Sequence, residues 1–200
     1  MQKCIMAGLV FSLVFHSTCM RKNSIPGNFR KQVQEVLTLP GAHFGVAFKD
    51  IQTGETLMLN EKDNFHAAST MKTPVLVELF KQASNGIFSM DDSILVKNSF
   101  SSIVDGSEYA LSPVDDSEQE LYKQIGQKKT IAALAYDMII HSSNLATNLL
   151  VELVKPEKVM ETMKLLGAND IRVLRGVEDG KAFAKGLNNS TTAYDLLLIF

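Results

Sequence analysis

Cysteine is almost missing from this chain. Its two cysteines, Cys4 and Cys19, lie in or beside the first apolar stretch, so everything beyond them lacks a disulfide framework. An excess of charge is missing as well: 20 Lys and Arg stand against 22 Asp and Glu, giving a net charge of −2. No basic stripe interrupts that balance, which argues against a nucleic-acid partner, because such binding depends on clustered cations. There is no internal repeat and no low-complexity tract. Neither H-x-x-x-H nor C-x-x-C spacing occurs, so the sequence predicts no metal and no cofactor. No G-x-S-x-G elbow surrounds Ser69, which speaks against a Ser-His triad built with His66 or His141. What remains is 46% hydrophobic and 21% charged over 200 residues, the composition of one globular domain with a proper core.

The first residues stand apart. A positive "MQK" precedes the unbroken apolar run Cys4 to Phe15, and Ser17, Thr18 and Cys19 follow as small residues. The run is too short for a bilayer span and has the length of a secretory h-region. Residues 1–19 therefore read as a signal peptide and the protein as exported to the periplasm; the alternative is a buried N-terminal helix. Cys19 would be a lipidation site if "HSTC" ended a lipoprotein signal, although His16 replaces the aliphatic residue expected there. Residues 24–200 form the predicted domain.

Along that domain, Phe29 to Leu39 patterns as a short amphipathic helix closed by Pro40-Gly41. Phe44, Val46 and Phe48, then Leu57 and Leu59, alternate about a "QTGE" turn and predict a hairpin. A helix follows with Met71, Val75, Leu79 and Phe80 at helical spacing. Pro74 is tolerated only in a first turn, which fixes the helix start near Ser69 or Thr70. Residues 100–120 are polar and acidic without a period and read mainly as an exposed connection. Further helices are expected from a Thr130 cap to His141, from Asn144 to Val154, from Pro156 to Gly167, and after Thr191 or Thr192. Arg175 to Asn189 reads as a long loop. The last helix has no stop signal, and one hairpin is too few strands to be stable, so sheet strands are expected beyond Phe200.

The chemistry gathers in two places. In "ASTMK", Lys72 lies one helical turn beyond Ser69 and on its face. A serine hydroxyl is a weak nucleophile that needs a base, and an amine whose pKa is lowered by burial can serve. Free N–H groups at the helix start can stabilise an oxyanion. Alone, the pair reads first as a capping serine and a solvated lysine, because an S-x-x-K spacing is expected about once by chance in such a chain. In "HSSNLATNLL", Ser142, Ser143 and Asn144 stand at a junction between two helices, where short polar side chains either face a cleft or cap the second helix.

Together these residues resemble the serine β-lactamase and penicillin-binding transpeptidase superfamily, and most closely the class A β-lactamases. The resemblance runs from about Phe44 to Phe200: hairpin, "STMK", "SSNLATNLL", then "RGVEDGKAFAKGLNNSTTAYDLL" as the glutamate-bearing loop. It implies a mixed α/β (α+β) fold, with helices packed on an antiparallel sheet. It implies a hydrolase in which Ser69 is acylated by a small-molecule β-lactam and Lys72 accepts or relays its proton. Ser142 would protonate the departing lactam nitrogen, Asn144 and Ser143 would border the substrate, and Glu178 would activate the hydrolytic water. The enzyme is expected to be a monomer.

Three departures stand out. Ser143 replaces the usual Asp. Two residues, in place of one, separate Arg175 from Glu178, and Ala182 lies near the position of an expected Asn, which makes Asp179 a rival to Glu178. No K-T-G or K-S-G strand occurs; it would lie beyond Phe200, and losing its oxyanion donor would slow the chain about 100- to 1,000-fold. A penicillin-binding transpeptidase or carboxypeptidase, and a catalytically inactive binding or sensor domain of the same fold, are the alternatives.

Overall fold

The computed structural model describes residues 27–200, so the expected signal peptide and Cys19 lie outside the described residues. The chain begins with α1 (Phe29–Val36), then pairs β1 (Val46–Lys49) with β2 (Thr56–Leu59) as an antiparallel hairpin with Val46 opposite Leu59. A two-residue strand β3 (Phe65–His66) leads through a 3-10 turn (Ala68–Met71) into α2 (Lys72–Ser84). The short strands β4 (Ser93–Leu95), β5 (Phe100–Ser101) and β6 (Glu108–Tyr109) precede β7 (Lys128–Thr130). Then come α3 (Ile131–Ile140), α4 (Asn144–Val154), α5 (Pro156–Leu165) and α6 (Gly180–Ala184). Strand β8 (Ser190–Thr191) and α7 (Ala193–Ile199) complete it. Four antiparallel two-stranded ladders result: β1–β2, β3–β8, β4–β7 and β5–β6.

Helix α4 explains the arrangement. Leu145, Ala146, Leu149, Leu150, Val151 and Val154 are buried, with Thr147 and Asn148 between them, so the helix is covered almost all round. A helix without a polar face belongs inside. Around it α2 buries Val75 and Leu79, α3 buries Ile131, Leu134 and Met138, and α5 buries Val159 and Met163. Each such side chain contributes roughly 1.5–3 kcal/mol of transfer free energy. The caps follow the expected chemistry: Thr130 Oγ1 accepts from Ala133 N at 3.2 Å, and Thr192 Oγ1 accepts from Asp195 N at 3.0 Å.

The helix expected at Phe29 stops at Val36, short of Leu39, and buries none of its residues. The segment 100–120 is not merely an exposed connection. It holds the β5–β6 hairpin and buries Phe100, Ser102, Leu111 and Asp116. Its burial is partly polar, so it leaves no hydrophobic period to detect. The loop 175–189 likewise contains the short α6, started by Asp179.

Candidate active site

Ser69 belongs to the 3-10 turn, and the α-helix proper begins at Lys72, with Pro74 in its first turn. The turn is held from across the chain. Antiparallel β3–β8 pairing sets His66 opposite Ser190, and Ala67 N donates to Asn189 O at 3.0 Å. Asn189 also closes the neck of the loop: its Oδ1 accepts from Leu174 N at 2.8 Å and Arg175 N at 3.3 Å, and its Nδ2 donates to Arg175 O at 3.0 Å.

Lys72 is only 2% exposed, although it is a lysine. Its Nζ lies 2.6 Å from Ser142 O, 2.9 Å from Ser142 Oγ and 3.3 Å from Asn144 Oδ1. Ser69 Oγ lies 2.9 Å from Ser142 Oγ. The Ser142 hydroxyl therefore bridges nucleophile and amine. Burial pushes the Lys72 pKa below its ordinary value, and the Asp116 carboxylate opposes that shift. All three oxygens accept from Nζ, and an amine that has lost its proton keeps a lone pair that can take one from Ser142 Oγ.

Asn144 faces two ways. Its Oδ1 meets Lys72, and its Nδ2 donates to Glu178 Oε1 at 2.9 Å. Glu178 Oε2 accepts from Ser112 N at 3.4 Å. A cleft of about 360 Å³ opens here, lined by Ser69, Asn144, Val177, Glu178, Phe183 and Asn189 among others. Ala68, Ser142 and Glu178 have φ of 44°, 56° and 62°, a left-handed conformation that side-chain-bearing residues seldom adopt. Such strain, about 1 kcal/mol or more per residue, persists only where surrounding contacts over-determine it.

Ser143 departs from expectation. It is fully buried, and its Oγ accepts from Ala146 N at 3.2 Å as the α4 cap, so it presents nothing to a substrate. Asp179 is no free base either. It is 1% exposed and accepts from Ser102 Oγ, Ile103 N and Ala182 N. Burial raises its pKa, but those three donors, helped by Arg175, outweigh it and hold the carboxyl below its ordinary value. Ala182, where an Asn was expected, is buried. The two histidines weighed for a triad are bonded elsewhere: His66 Nδ1 lies 3.2 Å from Asn189 O and His141 Nδ1 lies 2.9 Å from Glu118. Glu118, Asp137 and His141 are close enough together to be metal ligands, yet Lys129 already pairs with Asp137 Oδ2 at 2.7 Å.

Several residues that shape the site were not legible. The β5–β6 hairpin clasps the loop through Ser102 and Ile103 on Asp179, and Lys181 reaches Asp105 Oδ2 at 2.7 Å. Asn148 Oδ1 accepts from Val177 N at 2.6 Å, tying the loop to α4. Asp116 meets the first N–H groups of α4. These partners are 28 to 77 positions apart in sequence, and no local pattern links them.

Residues 28–200 match the model of the Beta-lactamase enzyme family. Among curated proteins, Beta-lactamase CARB-4 of Pseudomonas aeruginosa is 28% identical over 168 residues, 84% of this chain and 54% of its own length. Beta-lactamase PSE-4 of the same organism is 26% identical over the same extent. The chain thus spans about half the length of the curated relatives it matches. Among solved structures, a beta-lactamase from Sphaerobacter thermophilus DSM 20745 superposes with a TM-score of 0.62 at 26% identity, over 78% of this chain and 54% of that one. PBP-A superposes with a TM-score of 0.70 at 21% identity, over 87% of this chain and 60% of that one, a likeness of fold.

Proposed function

Because the chain belongs to the β-lactamase enzyme family, we propose that the protein is a serine hydrolase that opens β-lactam rings through an acyl-enzyme on Ser69. The observation that carries this reading is the continuous run of contacts from Ser69 Oγ through Ser142 Oγ to the buried Lys72 amine. With Lys72 neutral, Ser69 passes its proton to Ser142 Oγ as Ser142 passes its own to Lys72 Nζ. Ser69 Oγ then bonds to the lactam carbonyl carbon, the C–N bond breaks, and the proton returns through Ser142 to the nitrogen. The Ser69 N–H, at the start of the 3-10 turn, would stabilise the developing oxyanion. Water then attacks the ester carbonyl carbon as Glu178 takes its proton; the C–O bond breaks, that proton passes on to Ser69 Oγ, and Ser69 leaves as the alcohol with Glu178 again ionised. Asn144 holds the lysine and the glutamate in one frame and borders the substrate. The substrate class is the β-lactam antibiotics, whose ring opening would inactivate them.

In mass spectrometry of the full-length protein, penicillin is expected to add its own mass to wild type and nothing to Ser69→Ala. An adduct surviving in that variant would sink the assignment. A second reading, a penicillin-binding enzyme that releases its adduct slowly, is favoured by the buried apolar Ala182 and by the two contacts already made to Glu178. The lifetime of the adduct separates the two: fast loss supports hydrolysis, persistence supports trapping. The domain assignment 24–200 and export directed by residues 1–19 belong to the same proposal. Among the described residues no helix is long and apolar enough to cross a membrane.

A further inference from the structure

A carboxylate is missing from the junction before α4 and another has arrived from elsewhere. Ser143 stands where the resemblance leads one to expect Asp. Asp116, 27 positions earlier in the sequence, is 4% exposed and spends both oxygens at this junction. Oδ1 accepts from Asn144 N at 3.0 Å and Oδ2 from Leu145 N at 2.8 Å. Tyr122 OH adds a third donor at 3.0 Å, and Glu118 N a fourth at 3.1 Å. A negative charge at the N-terminus of an 11-residue helix meets its unpaired N–H groups and its dipole. Two positions on, Glu118 grips His141, on the other side of Ser142. The segment 116–118 thus brackets the left-handed Ser142.

We infer that Asp116 is a positioning residue for the Ser69 chemistry, fixing the Ser142–Asn144 turn against Lys72 and supplying from a separate segment the charge that Ser143 lacks. The inference rests on the proposed role of Ser69. Among the described residues the charge that acts on Lys72 is Asp116; Glu178 bonds Asn144 beside it, while Lys129 pairs with Asp137 and His141 with Glu118. Asp116 has a second effect here, because its charge keeps the Lys72 pKa from falling as far as burial alone would take it.

The test compares wild type with Asp116→Asn in the full-length protein, without substrate. Lysine side-chain NMR follows the Lys72 titration, with its signal assigned by its loss in Lys72→Arg. The variant is expected to show a lower Lys72 midpoint and shifted Asn144 and Leu145 amide signals. Penicillin adduct formation should slow roughly tenfold or more, as misplaced catalytic groups do. Its acid limb should move to lower pH, because the amine loses its proton earlier. A folded variant with an unchanged Lys72 midpoint and unchanged amide signals overturns the inference. If the variant does not fold, Tyr122→Phe removes one donor to Oδ2 and reads the same two amides; no movement there overturns it equally. A wild-type protein that forms no penicillin adduct would overturn the role of Ser69 instead, and the substrate-free titration would still decide whether Asp116 governs Lys72.

Discussion

Gly176 has no room for a side chain. A Cβ there would stand 2.2 Å from Asn148 Oδ1, and Asn148 is buried and committed to Val177 N. Gly176→Ala is therefore expected to destabilise the fold by about 1–3 kcal/mol, as overpacking does, and urea unfolding checks it. At Lys72 the sign of the pH dependence can be worked out. Its folded pKa is depressed by burial, so the neutral, proton-accepting form gains population at lower pH than for an ordinary lysine. The rate of penicillin acylation should rise with pH through a midpoint below 10.5, the ordinary lysine value. A rate that stays flat until that value is reached would mean a solvated lysine. Local spacing put Ser69 and Lys72 on one face and Ser142 and Asn144 at a helix junction, but only the resemblance led one to expect the two groups together; the contacts of Lys72 with Ser142 and Asn144 join them. The buried capping role of Ser143 was not legible in sequence, since a serine before a helix reads the same whether it faces a cleft or the core.

Helices α3 and α4 follow closely the ranges their apolar periods and caps predicted, whereas the β5–β6 hairpin escaped because its contacts are polar and long-range. That hairpin and the loop 175–189 act as one clasp. Asp179 joins them, accepting from two residues of the hairpin and from α6. Asp179→Ala removes a helix cap and strands buried donors, at a cost of about 2 kcal/mol. The loop should then be cut faster by protease while α2 to α4 stay protected. The clasp also carries a pH signature. Asp179 has its folded pKa below the ordinary 3.8, so its contribution is present above that value and is lost as pH falls through the lower folded one. Proteolysis of the loop in wild type should accelerate in that acid window, and much less so in Asp179→Asn.

For the molecule as a whole, burial is uneven. Helices α2, α3 and α4 share the core, while α1 buries nothing and Ile51, in the turn of the β1–β2 hairpin, is 92% exposed. Native-state hydrogen exchange should accordingly find the slowest amides in Val75 to Leu79 and Leu145 to Val151 and the fastest among the helical ones in α1. Equal protection of α1 and α4 would contradict this. The mixed α/β class was legible from the hairpin and the helical periods; the short β3–β8 ladder was not, because two residues are too few to carry a pattern. Yet that ladder and Asn189 beside it hold the nucleophile turn through Ala67 and the loop neck through Arg175 at once. In terms of descent, this splits the chain into a part where length is fixed and a part where it is free. Insertions or deletions at the exposed Lys185 and Gly186, after α6, can be taken up without moving Ser69, whereas one between Asn189 and β8 would shift the frame of both. The extra residue between Arg175 and Glu178 lies on the fixed side of that line, where Gly176 meets Asn148 and Val177 is bonded to it.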